Sequence, residues 1–239
     1  MKSFKYYLTE KSVEDTKFRT EATQFLSKLI AFIKKDKFEN ASKVQQFKGF
    51  AYPGIFIDAK YLDLLIIFSY GDKTFDVAGG AFLGGYGHLK SGMKVIVMDI
   101  LKKPYDVTDL ETRLQSGKNK STWVHEFVHY MDEKRYKGSN EFVLKGTKAA
   151  MAGDFKGYIN TPNEFNSYFQ QGIVEVEDAI AGVPRSITKD KLKNMTEFKK
   201  WVMPLFDKTF ISSLGNKYTN KFNKRLADYY DSLKKEYSD

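Results

Sequence analysis

The stretch STWVHEFVHYMDE, residues 121–133, holds two of the chain's three histidines, four positions apart, with a glutamate directly after the first. On a helix, positions i and i+4 lie one turn apart on one face. His125 and His129 can therefore aim two imidazole nitrogens at one point, as a single Zn²⁺ requires. Glu126 is turned by about 100° from His125 and can reach a water beside the metal without ligating it. Zinc brings the pKa of such a water towards about 7, and a neighbouring carboxylate can take its proton as the oxygen attacks a carbonyl. The chain has no cysteine, so any metal site must use His, Asp or Glu.

The residues around the pair predict a buried helix. Trp123, Val124, Phe127, Val128 and Met131 make nearly its whole circumference apolar. Two imidazoles and a carboxylate inside such a helix need partners, because an unpaired buried charge is costly. A metal ion is one such partner.

A zinc peptidase needs a third protein ligand and an open position. A metzincin continuation to a third histidine is absent, since Arg135 stands where it would fall. His88, the remaining histidine, sits upstream in GGAFLGGYGHLKSG, with no spacing that supports it as a ligand. Glu164, in NTPNEFNSYFQ on a second predicted helix, is the better candidate. Thr161-x-x-Glu164 is also a capping box, so two roles compete for one side chain. The upstream HEFVH favours the ligand role. An oxyanion donor beyond the metal is also needed. Tyr168, on the same helix face as Glu164, ranks first, with Tyr158 and His88 as further options. With fifteen tyrosines in the chain, packing competes with chemistry for each of them.

The elements that must position these residues follow from periodicity. Residues 11–48 predict an amphipathic helix, with Phe18, Ala22, Phe25, Leu29 and Phe32 or Ile33 on one face. Residues 50–101 carry short β-rich runs, IFIDA, LDLLIIFSY, KTFDVAG and MKVIVMDIL, which predict a mostly antiparallel sheet. The glycines of GGAFLGGYGHLKSG predict a mobile loop or wide turn. Residues 106–116 predict a short helix capped within VTDL, and Ser121 or Thr122 is the expected cap of the HEFVH helix. A loop is expected around GTKAAMAGDFKG. The next helix opens at Thr161, with Pro162 at its first position. From Ile187 to the end the chain reads as helical, lysine-rich and amphipathic. Helix, then sheet, then helices is an α+β order.

The charge is +9, with 39 basic and 30 acidic residues. The lysines are scattered along the chain, which reads as a solvated surface before it reads as a nucleic-acid site. The longest apolar run, Leu62 to Phe68, is too short to span a bilayer. The N-terminus lacks the apolar stretch of a secretory signal.

HEFVHYMD followed by NTPNEFNSYFQ resembles the gluzincin branch of zinc metallopeptidases. More narrowly it is similar to small metallopeptidase-like proteins of tailed bacteriophages, over about residues 120–172. The resemblance implies a zincin-like fold, a sheet lying over the HExxH helix with MKVIVMDIL as the strand bordering the cleft. It also implies His125, His129 and Glu164 as ligands and Glu126 as general base. In thermolysin-like gluzincins an Asp four residues after the ligand Glu orients a zinc histidine, and here that position is Tyr168. Asp132, three residues after His129 on the same face, is the candidate for that support, against a solvated helix-end carboxylate. The first ten residues, MKSFKYYLTE, also resemble the capsid-targeting leader of internal head proteins in T-even-like phages. The family's Leu-x-Glu cleavage end would fall at Leu8, Thr9 and Glu10.

Taken together, these features predict a leader-like segment (1–10) and one zincin-like domain (11–239), built from an N-terminal helix (11–48), a sheet (50–101), active-site helices (120–180) and a helical C-terminal part (187–239). The expected activity is hydrolysis of peptide bonds with Zn²⁺, on a protein or peptide substrate, by a phage-encoded enzyme of the host cytoplasm or virion interior. No membrane insertion is expected. Contact with phage capsid or packaged DNA would suit the leader and the charge. Two alternatives stay open: a peptidoglycan endopeptidase using the same residues, and a non-enzymatic virion or DNA-associated protein on a zincin scaffold.

Overall fold

A computed structural model describes residues 17–31, 33, 54–59, 64–69, 84–88, 94–102, 108–135, 149 and 152–238. It is mixed α+β and mostly helical. The leader-like residues Leu8, Thr9 and Glu10, the stretch 34–48 and the run KTFDVAG lie outside the described residues. The chain divides into two compact units, one of Phe18–Gly138 and one of Met1–Lys17 with Ser139–Asp239. Among the described residues, no helix is long and apolar enough to cross a membrane.

The first unit opens with helix α1 (residues 17–31). Phe18, Ala22, Leu26, Leu29 and Ile30 are buried, as the helical period of the apolar residues requires. A sheet of four strands follows: β1 (Gly54–Ala59), β2 (Leu64–Ser69), β3 (Gly84–His88) and β4 (Lys94–Asp99). Their order is β1-β2-β4-β3. β1 and β2 pair antiparallel, β2 and β4 parallel, and β3 and β4 antiparallel. All six residues of β2 are buried, the pattern of a strand covered on both faces.

Two expectations fail here. The glycine-rich stretch forms strand β3 over Gly84–His88, where a loop or turn was predicted. Among the described strands, β4 is interior, where the strand bordering the cleft was expected, and β3 lies at an edge. Gly84 shows why glycine serves in a strand here: a Cβ on it would lie 2.9 Å from Cγ2 of Thr122 and 3.1 Å from Sδ of Met98. Its missing side chain lets the strand lie close to the helix below.

That helix is α3 (Gly117–Arg135), preceded by α2 (Leu110–Gln115) and packed against α2, β3 and β4. Asp109 occupies the cap position of α2, but in a left-handed conformation (φ 57°) and without a side-chain capping bond. The Arg113 guanidinium makes local bonds instead, donating to the carbonyls of Ile100 (3.1 Å) and Thr108.

The second unit is helical: α4 (Phe155–Ile159), α5 (Pro162–Ala181), α6 (Arg185–Lys191), α7 (Met195–Val202), a 3₁₀ turn (Met203–Leu205), α8 (Lys208–Ser213) and α9 (Asn216–Tyr237). α4 replaces part of the expected loop, its Asp154 carboxylate accepting from the Gly157 amide at 2.7 Å. The C-terminal helicity is broken where Asn194 and Asp207 cap new helices by accepting from Glu197 and Phe210 amides. Phe165, Phe169, Ile173, Val176 and Ile180 of α5 meet Phe198, Phe206, Phe210, Phe222 and Leu226 in one core. Each large apolar side chain buried there contributes about 1.5–3 kcal/mol.

Candidate metal centre

α3 begins four residues before the expected caps, so Ser121 and Thr122 are interior positions. Their hydroxyls therefore cannot hold the first amides. The Ser121 hydroxyl donates back to the Lys118 carbonyl (3.0 Å), a bond that hydroxyls make inside helices. The start is fixed through the turn from α2. Asn119 Nδ2 and the Ser116 hydroxyl both donate to the Arg113 carbonyl, at 2.8 and 2.7 Å. The middle is fixed by Trp123, fully buried, whose Nε1 donates to the Ala22 carbonyl (3.0 Å) and whose ring stacks on Phe25.

On this anchored helix the two histidines converge. Nε2 of His125 and Nε2 of His129 are 3.2 Å apart, with the rings crossing at 72°. Two ring nitrogens at this distance require either one proton between them or a common electrophile. A tetrahedral zinc with Zn–N bonds of 2.0–2.1 Å separates its nitrogen ligands by about 3.3 Å. The pair thus has the span of one edge of a zinc coordination tetrahedron. Glu126 joins them: one ligand atom from each of His125, Glu126 and His129 lies within 4.8 Å of the others. His125 and Glu126 are buried, and His129 is half-buried. The arrangement can hold a divalent cation through two neutral imidazoles, with a carboxylate beside it to ligate or to take a proton. Asp132 is also buried, at 3% exposure, so it is not a solvated helix-end carboxylate.

The structure adds three residues that sequence reasoning missed. Glu133 continues the stripe His125, His129, Glu133 at four-residue intervals. Its Oε2 accepts from the Tyr86 hydroxyl at 2.6 Å, and its Oε1 lies 3.9 Å from Nζ of Lys94. The Tyr86 ring lies nearly parallel to the His129 imidazole (14°, centroids 6.5 Å apart) and edge-on to Tyr130 (6.3 Å). Burial, then the hydrogen bond to Glu133, hold the Tyr86 hydroxyl well above the usual tyrosine range. The signal was present in the two periods: 84, 86 and 88 share one face of a strand, and 125, 129 and 133 share one face of a helix. Reading 84–88 as a turn hid it. His88 closes β3, its backbone paired with Lys94, and its side chain lies outside the described residues.

Glu164, Tyr158 and Tyr168 belong to the other unit. Glu164 sits in the first turn of α5, buried, its amide donating to the Thr161 hydroxyl at 3.4 Å. In a full capping box the Glu164 carboxylate would hold the Thr161 amide. The Thr161 amide donates to the Tyr158 carbonyl (3.1 Å). The Tyr168 ring stacks on Phe210 (5.3 Å, 11°), and Tyr158 packs against the same core. The chain has no significant match among protein-family models, curated proteins or solved structures.

Proposed function

We propose that the chain is a zinc-dependent metallopeptidase of gluzincin type on a zincin-like fold, phage-encoded and acting on protein or peptide substrates in the host cytoplasm or the virion. The observation that carries this reading is the 3.2 Å approach of the two Nε2 atoms beside the Glu126 carboxylate on a buried helix. Two imidazoles and a carboxylate brought to one point form a donor set suited to a divalent cation. His125 and His129 would hold the metal, with Glu164 as the third protein ligand.

Zinc, when bound, would supply a Lewis acid that acidifies a water ligand and polarises the scissile carbonyl. Glu126 would take the proton of the attacking water and pass it to the leaving amine, a role its buried position beside the imidazoles suits. Tyr168 would donate to the oxyanion. β3, at the edge of the described strands, would offer backbone groups to an extended peptide, a common mode of peptide recognition.

The test is metal content and cleavage of an unfolded protein by wild type and Glu126→Gln. Stoichiometric zinc in both, with cleavage lowered by about 10²–10⁴ in the variant, is expected for the loss of a general base. A protein without zinc, or a variant that cleaves like wild type, overturns the reading.

A further inference from the structure

We propose that Tyr86, latched by Glu133, is a positioning residue that fixes the plane of the His129 imidazole for metal binding. The inference rests on the metallopeptidase reading and concerns a residue outside its ligand and base set.

His125 is buried and His129 is half-buried. A ligand histidine is oriented by the groups around it, through hydrogen bonds and packing. The Tyr86 ring is such a group. The Tyr86 ring lies at 14° to the imidazole, with the centroids 6.5 Å apart. Rotating His129 about its side-chain bonds would turn Nε2 away from Nε2 of His125 and break the near-parallel arrangement with the tyrosine.

The tyrosine is itself held at three points. Its hydroxyl donates to Glu133, one helical turn beyond His129. Its ring meets the edge of Tyr130. Its strand lies close to α3 because position 84 has no side chain. Lys94 on the adjacent strand holds the far side of this latch, 3.9 Å from Glu133 Oε1 and 5.6 Å over the Tyr130 ring. Strand β3 and helix α3 are thereby locked in one register across the histidine. With its proton committed to Glu133, the Tyr86 hydroxyl serves as a tether, and a direct part in proton transfer is left to Glu126.

The test uses the full chain, with zinc affinity measured by competition against a chromophoric chelator. Co²⁺ in place of zinc reports ligand geometry through its visible absorption, which a merely structural role for Tyr86 would leave unchanged. Tyr86→Leu removes both ring and latch and is expected to weaken zinc by about 10–100-fold, the range for groups that orient metal ligands. Tyr86→Phe restores the ring without the latch, and Glu133→Gln retains an acceptor for it. Both should lose less, about threefold, with a smaller change in the Co²⁺ spectrum. If Tyr86→Leu fails to fold, Tyr86→Phe decides: weakened binding supports the proposal, and unchanged binding and spectrum overturn it. Wild type that binds zinc alongside variants that bind it equally sinks this inference alone. Wild type that binds no zinc sinks the metallopeptidase reading and this inference with it.

Discussion

Helices α3 and α5 are both long, both buried, and both carry polar side chains inward, yet they treat those side chains differently. On α5, Glu164, Asn166, Ser167 and Gln170 are all buried beside an aromatic stripe. Asn166 is answered by the Arg225 guanidinium (3.1 Å), which also lies 4.0 Å over the Phe169 ring. That is the ordinary solution, one donor for one acceptor. On α3, His125, Glu126 and His129 turn towards one point, and two nitrogens that normally accept hydrogen bonds face each other. Burial of polar groups is therefore common to both helices, and their convergence on one point is what sets α3 apart.

Zinc itself provides the largest test of that contrast. At a zinc concentration 100-fold above its dissociation constant, binding to the folded state alone adds about 2.7 kcal/mol of stability. Thermal melts of wild type and Asn166→Ala should both rise on adding zinc, since the Asn166–Arg225 pair has no part in gathering the ligands. His125→Ala should show no rise. A shift that survives in His125→Ala would place the ion elsewhere and dissolve the distinction between the two helices.

The same contrast explains which features could be read from the chain. The start of α5 was legible because it is local: Thr161 and Pro162 suffice to stop one conformation and begin another. The histidine pair was legible for the same reason, since i and i+4 spacing on any helix brings the two rings together. The start of α3 was not, because Ser116, Asn119 and Arg113 tie it to α2 through contacts that ordinary cap preferences do not record. Strand β3 was hidden by its three glycines, whose low strand preference is overridden by the pairing with β4 and the close approach at Gly84. Tyr86 was lost with it. Glu164 was legible as a residue type at a helix start, because Thr161 and Pro162 mark that start locally.

The second test falls on the aromatic core of the helical unit. A Cβ at Gly172 would stand 2.1 Å from Cδ1 of Phe206, a ring only 2% exposed. Gly172→Ala therefore forces the ring or the helix to move, which costs about 1–3 kcal/mol. The better helix preference of alanine returns about 0.5–1 kcal/mol. The net loss, read as a lower denaturation midpoint at unchanged slope, should come without any change in zinc affinity. A Gly172→Ala protein as stable as wild type would show that this core is loosely packed, and that α5 is not held by its aromatic face.

The smallest effect separates capping from chemistry at the start of α5. Asp207 accepts from the Phe210 amide at 2.7 Å, whereas Thr161 accepts from the Glu164 amide at 3.4 Å, beyond the usual range for such a bond. Removing a good cap costs about 1 kcal/mol, so Asp207→Ala should lower stability by about that amount and Thr161→Ala by about half or less. The zinc affinity of the two variants carries the sharper information. Asp207 caps a helix remote in sequence from every proposed ligand, and its loss should leave zinc binding unchanged. Thr161 sets the first turn from which Glu164 projects. If Glu164 ligates the metal, Thr161→Ala should weaken zinc more than its small loss of stability would suggest. Equal zinc affinity in Thr161→Ala and Asp207→Ala would remove Glu164 from the ligand set and leave the ion to His125, His129 and a third group still to be found.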